Sequence, residues 1–423
     1  MKIARVLVLL LLSGIALVAQ NRIDTITPLA PELAAYGPNA IGVRTIQVTD
    51  RNRPDVLNIK EGGPIARYDR TLTLEVWYPA TVPAGTPPTD YVNVITRDPS
   101  ITTTLHGRAV RDASPLSAAG GYPLVIISHG YPGNRFLMSH LGENLASKGY
   151  VTVAIDHKDS TYEDQKAFAS TLYNRPFDQL FVLNEMARLG KPGSGSFLSG
   201  LVDANRTGIV GYSMGGYGLV NVVGGGYSKA SDGFNGAPPN HMMLERGAAN
   251  PAVAGAVDPR IKAALAVAPW GMAGGFWDAE GLKGIKTPIF FLAGSVDDVA
   301  GYEKGTRAIY EAAVNADRYL LTFINGNHNS GAPIPAPMEV MASKQATTAS
   351  TGWFHYSDPV WDQVKANNIF DHFATAFFGL HLKGEQDKQA YLDVTPNGKD
   401  ATWKGFRRGA AVGLILEHVS PAK

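Results

Sequence analysis

Cysteine is absent from all 423 residues. That excludes disulfides, zinc–thiolate sites, a thiol nucleophile and a lipid-modified N-terminal cysteine. A charge surplus is also missing: 38 Lys and Arg face 37 Asp and Glu, a net charge of +1. Such a balance offers no excess of cations to neutralise a phosphate backbone, so nucleic acid is not an expected partner. Charged residues are only 18% and hydrophobic ones 45%, which excludes wholesale disorder and leaves ample material for a core. Metal-ligand spacings such as H-E-x-x-H are lacking, so no catalytic metal and no cofactor is expected.

Long hydrophobic runs are scarce too. The one at the N-terminus, from Val6 to Ala19, is shorter than the ~20 residues a membrane-spanning helix needs. It follows Lys2 and Arg5 and ends in small residues near a possible cut after Ala19. Residues 1–20 therefore read as a secretory signal peptide, and the expected location is secreted or periplasmic. Residues 21–423 are expected to form a single domain without a transmembrane segment.

What is present is alternation. Val43–Val48 and Leu72–Tyr78 alternate in polarity like an antiparallel pair. Continuous apolar runs follow at Leu124–Ser128, Tyr150–Ile155, Thr207–Gly211, Ala263–Ala268, Ile289–Ala293 and Tyr319–Ile324, the pattern of strands buried on both faces. Helix-period segments separate most of them: Leu137–Lys148, Phe177–Leu189, Met214–Val223 and Tyr302–Val314, with Ile369–Leu380 closing the core. Strands alternating with helices predict an α/β class and a mostly parallel, eight-stranded sheet with helices on both faces. Pro79–Ser100 reads as a surface loop. Three inserts, at about 224–258, 270–286 and 329–366, fit no sheet element and are long enough to be functional loops or lids. They carry Trp277, Trp353 and Phe354. The tail from Lys383 suggests no task.

Gly211-Tyr212-Ser213-Met214-Gly215 is a G-x-S-x-G motif at a strand-to-helix junction. A turn that sharp needs glycines beside the central residue, and it holds Ser213 at the carboxyl edge of the sheet over a helix N-terminus. A serine hydroxyl is a poor nucleophile without a base. A later acid and then a later His should each follow a strand, and the chain supplies both in that order. Tyr319–Ile324 leads into His328, the expected general base. Ile289–Gly294 leads into Asp297 and Asp298. Asp297 is preferred as the orienting acid by its spacing from Gly294, and Asp298 stays the alternative. An oxyanion hole needs two donors. The expected pair is the backbone N–H of Met214, after the nucleophile, and that of Tyr131 in Ser128-His129-Gly130-Tyr131. His129 reads as a structural loop residue. His157 could line the cleft or bind loop backbone.

With these residues in view the chain resembles the α/β-hydrolase superfamily over roughly residues 43–380. The closer likeness is to the dienelactone-hydrolase-like branch, with its platelet-activating-factor acetylhydrolases and bacterial cutinase-like polyester hydrolases. It rests on PLVIISHGYPG at 123–133, GYSMGG at 211–216 and ALAVAPWG at 264–271. The resemblance implies an α/β-hydrolase fold with lid-like inserts, and Trp270 as a substrate-binding residue bordering a groove. It implies a secreted serine carboxylic-ester hydrolase for small or lipid-like esters or polyesters. An acyltransferase with the same triad, a phospholipase or acetylhydrolase, and a non-catalytic binding protein are the alternatives. Two departures matter. Dienelactone hydrolases use a cysteine nucleophile, which is missing here. The acetylhydrolases place their acid after the sixth strand, where this chain reads Ala266–Trp270 without an Asp, which favours Asp297.

Overall fold

The computed structural model describes residues 21–253, 256–343 and 352–422. The signal-peptide reading of residues 1–20 lies outside the described residues. Two long antiparallel strands open the sheet, β1 (Ala40–Pro54) and β2 (Arg67–Thr81). There follow β3 (Tyr122–Ser128), β4 (Val151–Asp156), β5 (Val202–Tyr212), β6 (Ile261–Val267), β7 (Ile289–Gly294), β8 (Arg318–Phe323) and β9 (Leu414–Val419). Their spatial order is β9-β8-β7-β6-β5-β3-β4-β2-β1. Strands β3 to β8 run parallel, while β2 meets β4 and β9 meets β8 antiparallel. All eight expected strands are present. The sheet has eleven strands rather than eight: β9 comes from the tail that suggests no task, and two two-residue strands, Val110–Arg111 beside β1 and Ser114–Pro115 beside β2, pair at the edge because the chain there folds back along the β1–β2 pair.

Continuous apolar strands form because both faces of the sheet are covered. Alternate residues of β3 feed two cores: Val125 and Ile127 enter one, Leu124 and Ile126 the other. Strand β7 divides the same way, Phe290 and Leu292 against Ile289 and Phe291. Helices α1 (Ser139–Ser147) and α4 (Gln363–Lys383) cover the first face with Leu141, Leu145, Phe370, Phe373 and Phe377. Helices α2 (Phe168–Gly190) and α3 (Met214–Val222) cover the second with Leu172, Val182, Leu183, Leu219 and Val220. Every residue of α3 is buried, as expected of a helix that is apolar all round. Helix α2 carries Pro176 in its interior. Proline has no N–H to offer the carbonyl four residues back, and that carbonyl, on Leu172, accepts instead from the Tyr217 hydroxyl at 3.1 Å.

Departures from the sequence reading are local. The stretch Pro79–Ser100 is not all loop: Tyr91–Ile95 pairs antiparallel with Thr102–Leu105 in a separate two-stranded ribbon. The expected helix over 302–314 is a π-type turn, Tyr302–Thr306, followed by a short helix, Arg307–Ala312, with a kink at Gly305. The last four residues of the 329–366 insert belong to α4, which starts at Gln363. Among the described residues no helix is long and apolar enough to cross a membrane.

Strand β3 lies between β4 on one side and β5 on the other. The chain order reverses there, and a crevice at the carboxyl ends of the strands is where open α/β sheets place their ligand sites.

Candidate active site

Ser213 sits between the end of β5 and the first turn of α3, with φ 53° and ψ −112°. Positive φ is costly for a residue with a side chain and is tolerated where surrounding contacts over-determine it. Its N–H donates to Val267 O at 2.9 Å, and its carbonyl accepts from the N–H groups of Tyr217 at 2.9 Å and Trp270 at 3.2 Å. Gly215 packs directly on the Ser128 carbonyl, where a Cβ would collide with backbone. The motif's second glycine is thus required by close approach to β3.

The Ser213 hydroxyl donates to His328 Nε2 at 2.9 Å. His328 Nδ1 lies 3.0 Å from both carboxylate oxygens of Asp297. All three residues are nearly buried, at 7%, 8% and 7% exposure for Ser213, His328 and Asp297. Asp297 Oδ1 also accepts from the N–H groups of Val299 and Ala300, each at 2.9 Å. Burial pushes the Asp297 carboxyl up, but the His328 imidazole and these two N–H groups outweigh it and hold it below the usual carboxylate range. The two loops meet because Gly294 packs against the carbonyls of Gly326 and Asn327, with no room for a Cβ. Asp298, the alternative acid, is exposed, and its N–H donates to Asn327 Oδ1 at 3.1 Å. It is not brought to His328.

Residues outside the motifs hold the His328 loop. Asp358 accepts from the Asn327 N–H at 2.5 Å and the Ser330 hydroxyl at 2.8 Å. Asn327 Oδ1 accepts from the His328 N–H at 2.7 Å. Asp358 lies in the 329–366 insert, which suggested no role for it.

The Tyr131 and Met214 N–H groups have no acceptor among the described residues. In a trans peptide unit the C=O and N–H point opposite ways. Tyr217 and Trp270 hold the Ser213 carbonyl, and so turn the Met214 N–H of the same unit away from it. The Tyr131 N–H shares its unit with Gly130 O, which accepts from Arg175 Nη2 at 2.9 Å and His129 Nδ1 at 2.7 Å. Arg175 also donates to His129 O and, at 2.7 Å, to Ser160 Oγ. His129 is buried and structural, as expected: burial, Arg175 and His157 drive its pKa well down, so it stays neutral.

His157 does not line the cleft. It is fully buried below the Tyr131 loop, its Nε2 accepting from the Ser128 hydroxyl at 2.8 Å and its Nδ1 donating to Asp178 at 3.0 Å. Arg70 pairs with Asp178 through two bonds, of 2.8 and 2.9 Å.

A cavity of about 420 Å³ opens over Ser213 and His328, with Tyr131, Tyr212, Phe354 and Arg97 in its wall. Of the insert aromatics, Phe354 reaches this wall, while Trp277 is buried with its indole N–H on Gly225 O at 3.0 Å. Trp270, expected beside a groove, lies partly exposed just past the end of β6. Its ring packs among Phe168, Phe234 and Phe276 at centroid distances of 5.4, 5.9 and 5.2 Å, and it is not part of the cavity wall. It stands behind Phe168, which meets the Tyr131 ring edge-on at 5.0 Å. Among the described residues no cluster of three or more His, Asp or Glu side chains could hold a metal ion.

Residues 70–178 match the family model of platelet-activating factor acetylhydrolase, isoform II. The chain is 41% identical over 66 residues to a platelet-activating factor acetylhydrolase of Cavia porcellus, covering 15% of each chain. It is 24% identical over 208 residues to cutinase est1 of Thermobifida alba, covering 49% of this chain and 53% of that one. The chain therefore spans at most about half the length of these curated relatives. A solved ferulic acid esterase from Streptomyces cinnamoneus superposes with a TM-score of 0.59 at 20% identity, covering 95% of this chain and 100% of that one. It shares the α/β-hydrolase fold.

Proposed function

We propose that this chain, which has the α/β-hydrolase fold and matches the acetylhydrolase family model over residues 70–178, is a serine carboxylic-ester hydrolase of that superfamily with Ser213 as nucleophile. One observation carries this reading: an unbroken hydrogen-bonded series from the Ser213 hydroxyl through His328 to Asp297, opening on a cavity. As Ser213 Oγ attacks the ester carbonyl, His328 Nε2 takes its proton. Asp297 fixes the Nδ1–H tautomer and stabilises the imidazolium that forms. The negative charge on the carbonyl oxygen is met by the Tyr131 and Met214 N–H groups, which have no acceptor among the described residues and are aimed by the carbonyls behind them. His328 then protonates the leaving alcohol. Water, deprotonated by the same imidazole, releases the acid from the acyl-enzyme. No step requires a cofactor.

The aromatic wall suits esters with an apolar acyl or aromatic part, small or lipid-like. The cutinase and acetylhydrolase relatives support that class, and the cutinase relatives with the N-terminal signal-like segment support an extracytoplasmic location. Trp270 backs Phe168 and, through it, the Tyr131 ring. Hydrolysis of nitrophenyl esters of increasing acyl length, by wild type and Ser213→Ala, tests the reading. Turnover by wild type alone is expected; equal turnover by both would overturn it.

A further inference from the structure

We propose that Arg97 forms an anion subsite in the cavity, selecting esters that carry a carboxylate away from the scissile bond. The inference rests on the ester-hydrolase reading above. Arg97 follows the first strand of the two-stranded ribbon and lines the cavity with Ser213 and His328. Its backbone is fixed on two sides: its N–H donates to the Tyr356 hydroxyl at 2.8 Å, and the neighbouring Ile95 O accepts from Asn134 Nδ2 at 2.8 Å. Its guanidinium has no hydrogen-bond acceptor and no carboxylate partner among the described residues. Residues 1–20, 254–255, 344–351 and 423 contain no Asp or Glu, so they offer no acidic side chain either.

Other polar side chains of the wall are engaged within the protein. Asn329 donates to Phe354 O at 2.5 Å and accepts from the Tyr212 hydroxyl at 2.6 Å; His355 pairs with the Tyr162 hydroxyl at 2.7 Å. Asp298 is the cavity's other side chain of fixed charge, and it is exposed. A guanidinium without a partner presents a planar fork of donors suited to a carboxylate. The preferred substrate is accordingly a half-ester of a dicarboxylic acid, or an ester whose alcohol bears an acid.

The test compares 4-nitrophenyl hexanoate with the 4-nitrophenyl monoester of adipic acid, which differs by a terminal carboxylate. Arg97→Gln should lower the adipate-to-hexanoate ratio of kcat/KM by about tenfold, mainly through KM, and Arg97→Lys should fall between. Asp298→Asn should move the ratio the other way. An unchanged ratio in Arg97→Gln overturns the subsite. Loss of the ester-hydrolase reading looks different: wild type would hydrolyse neither ester.

A separate set of contacts points to Arg175 as a positioning residue for the oxyanion donor. Arg175 is not part of the wall of the cavity over Ser213. It is almost fully buried and grips two successive carbonyls, His129 O and Gly130 O, with Ser160 Oγ as a third partner. Holding Gly130 O sets the plane of the Gly130–Tyr131 peptide, and with it the direction of the Tyr131 N–H. Gln179, one turn further along α2, holds Gly215 O at 2.9 Å, so the same helix also contacts the first turn of α3 next to Met214. Arg175→Lys should lower kcat about 100-fold with KM little changed, and weaken a boronic-acid adduct of Ser213 in proportion. Ser160→Ala, which removes one anchor, should show a smaller version of the same split. Boronate affinity left intact in a folded Arg175→Lys or Ser160→Ala protein of reduced activity would overturn the role. So would unchanged kcat in both.

Discussion

Two Ser–His–Asp arrays of the same atomic connectivity stand on neighbouring strand ends of this molecule. In one, Ser213 donates to His328 Nε2, and His328 Nδ1 faces Asp297. In the other, Ser128 donates to His157 Nε2, and His157 Nδ1 faces Asp178. The distances barely differ. Surroundings separate them. Ser213 sits on strained backbone and opens on a cavity, whereas Ser128, His157 and Asp178 are all sealed. Burial, with Arg175 nearby, drives His157 down to about 3, so it stays neutral and takes no proton near neutral pH. Burial raises Asp178, but Arg70 and its bonds to His157 and Arg70 hold it well below the usual carboxylate range. On the proposed reading, access, backbone presentation and adjacent donors set the Ser213 array apart from the sealed one, although both join the same three residue types. The buried array ties β3 and β4 to α2 beneath the oxyanion loop.

Substitutions made in parallel should break this symmetry. Ser213→Ala should cut ester turnover by up to about a millionfold with folding intact, while Ser128→Ala should cost about 1–3 kcal/mol of stability by leaving His157 Nε2 unpaired. Kinetics and urea unfolding on both proteins check this. Asp297→Asn should reduce kcat by about 10,000-fold through loss of the correct His328 tautomer. Asp178→Asn should instead cost about 3–5 kcal/mol, since it strips a buried partner from Arg70; a kcat loss without a stability loss would reverse the assignment.

Acid should act through the buried histidines. His157 and His372, both fully buried, are held at about 3 by burial, with Arg175 and Lys148 respectively adding to it. The unfolded chain takes up protons below about pH 6.5, and the folded chain does not until much lower. Stability should therefore fall as pH drops from about 6.5 toward 3, by up to about 1.4 kcal/mol per pH unit for each histidine. Urea midpoints measured across that range test the sign. The smallest effect should come from Asp298→Asn, which should change hexanoate turnover by less than about fivefold; a loss matching that of Asp297→Asn would make Asp298 the acid.

The catalytic comparison was half legible in the sequence. Ser213, His328 and Asp297 each follow an apolar strand, so periodicity and one glycine motif locate them. Period-2 and apolar-run signals also located eight strands. Strand β9 escaped because an edge strand with one half-buried face, Leu414-Ile415-Leu416-Glu417, leaves only a short alternating trace. Asp358 and Arg175 escaped because they act through tertiary hydrogen bonds that no local spacing encodes. The Pro-Trp likeness points to Trp270, whose partly exposed ring packs edge-on against Phe168. His157 was open between cleft and loop backbone, since a histidine after a strand looks the same whether sealed or exposed.

The most direct measurement is fluorophosphonate labelling of the native protein, with the modified residue located by mass spectrometry. The expected result is a single adduct on Ser213, lost in Ser213→Ala and strongly slowed in His328→Ala, with Ser128 untouched. An adduct on Ser128, or ester hydrolysis persisting in a Ser213→Ala protein, would contradict the assignment of the two arrays.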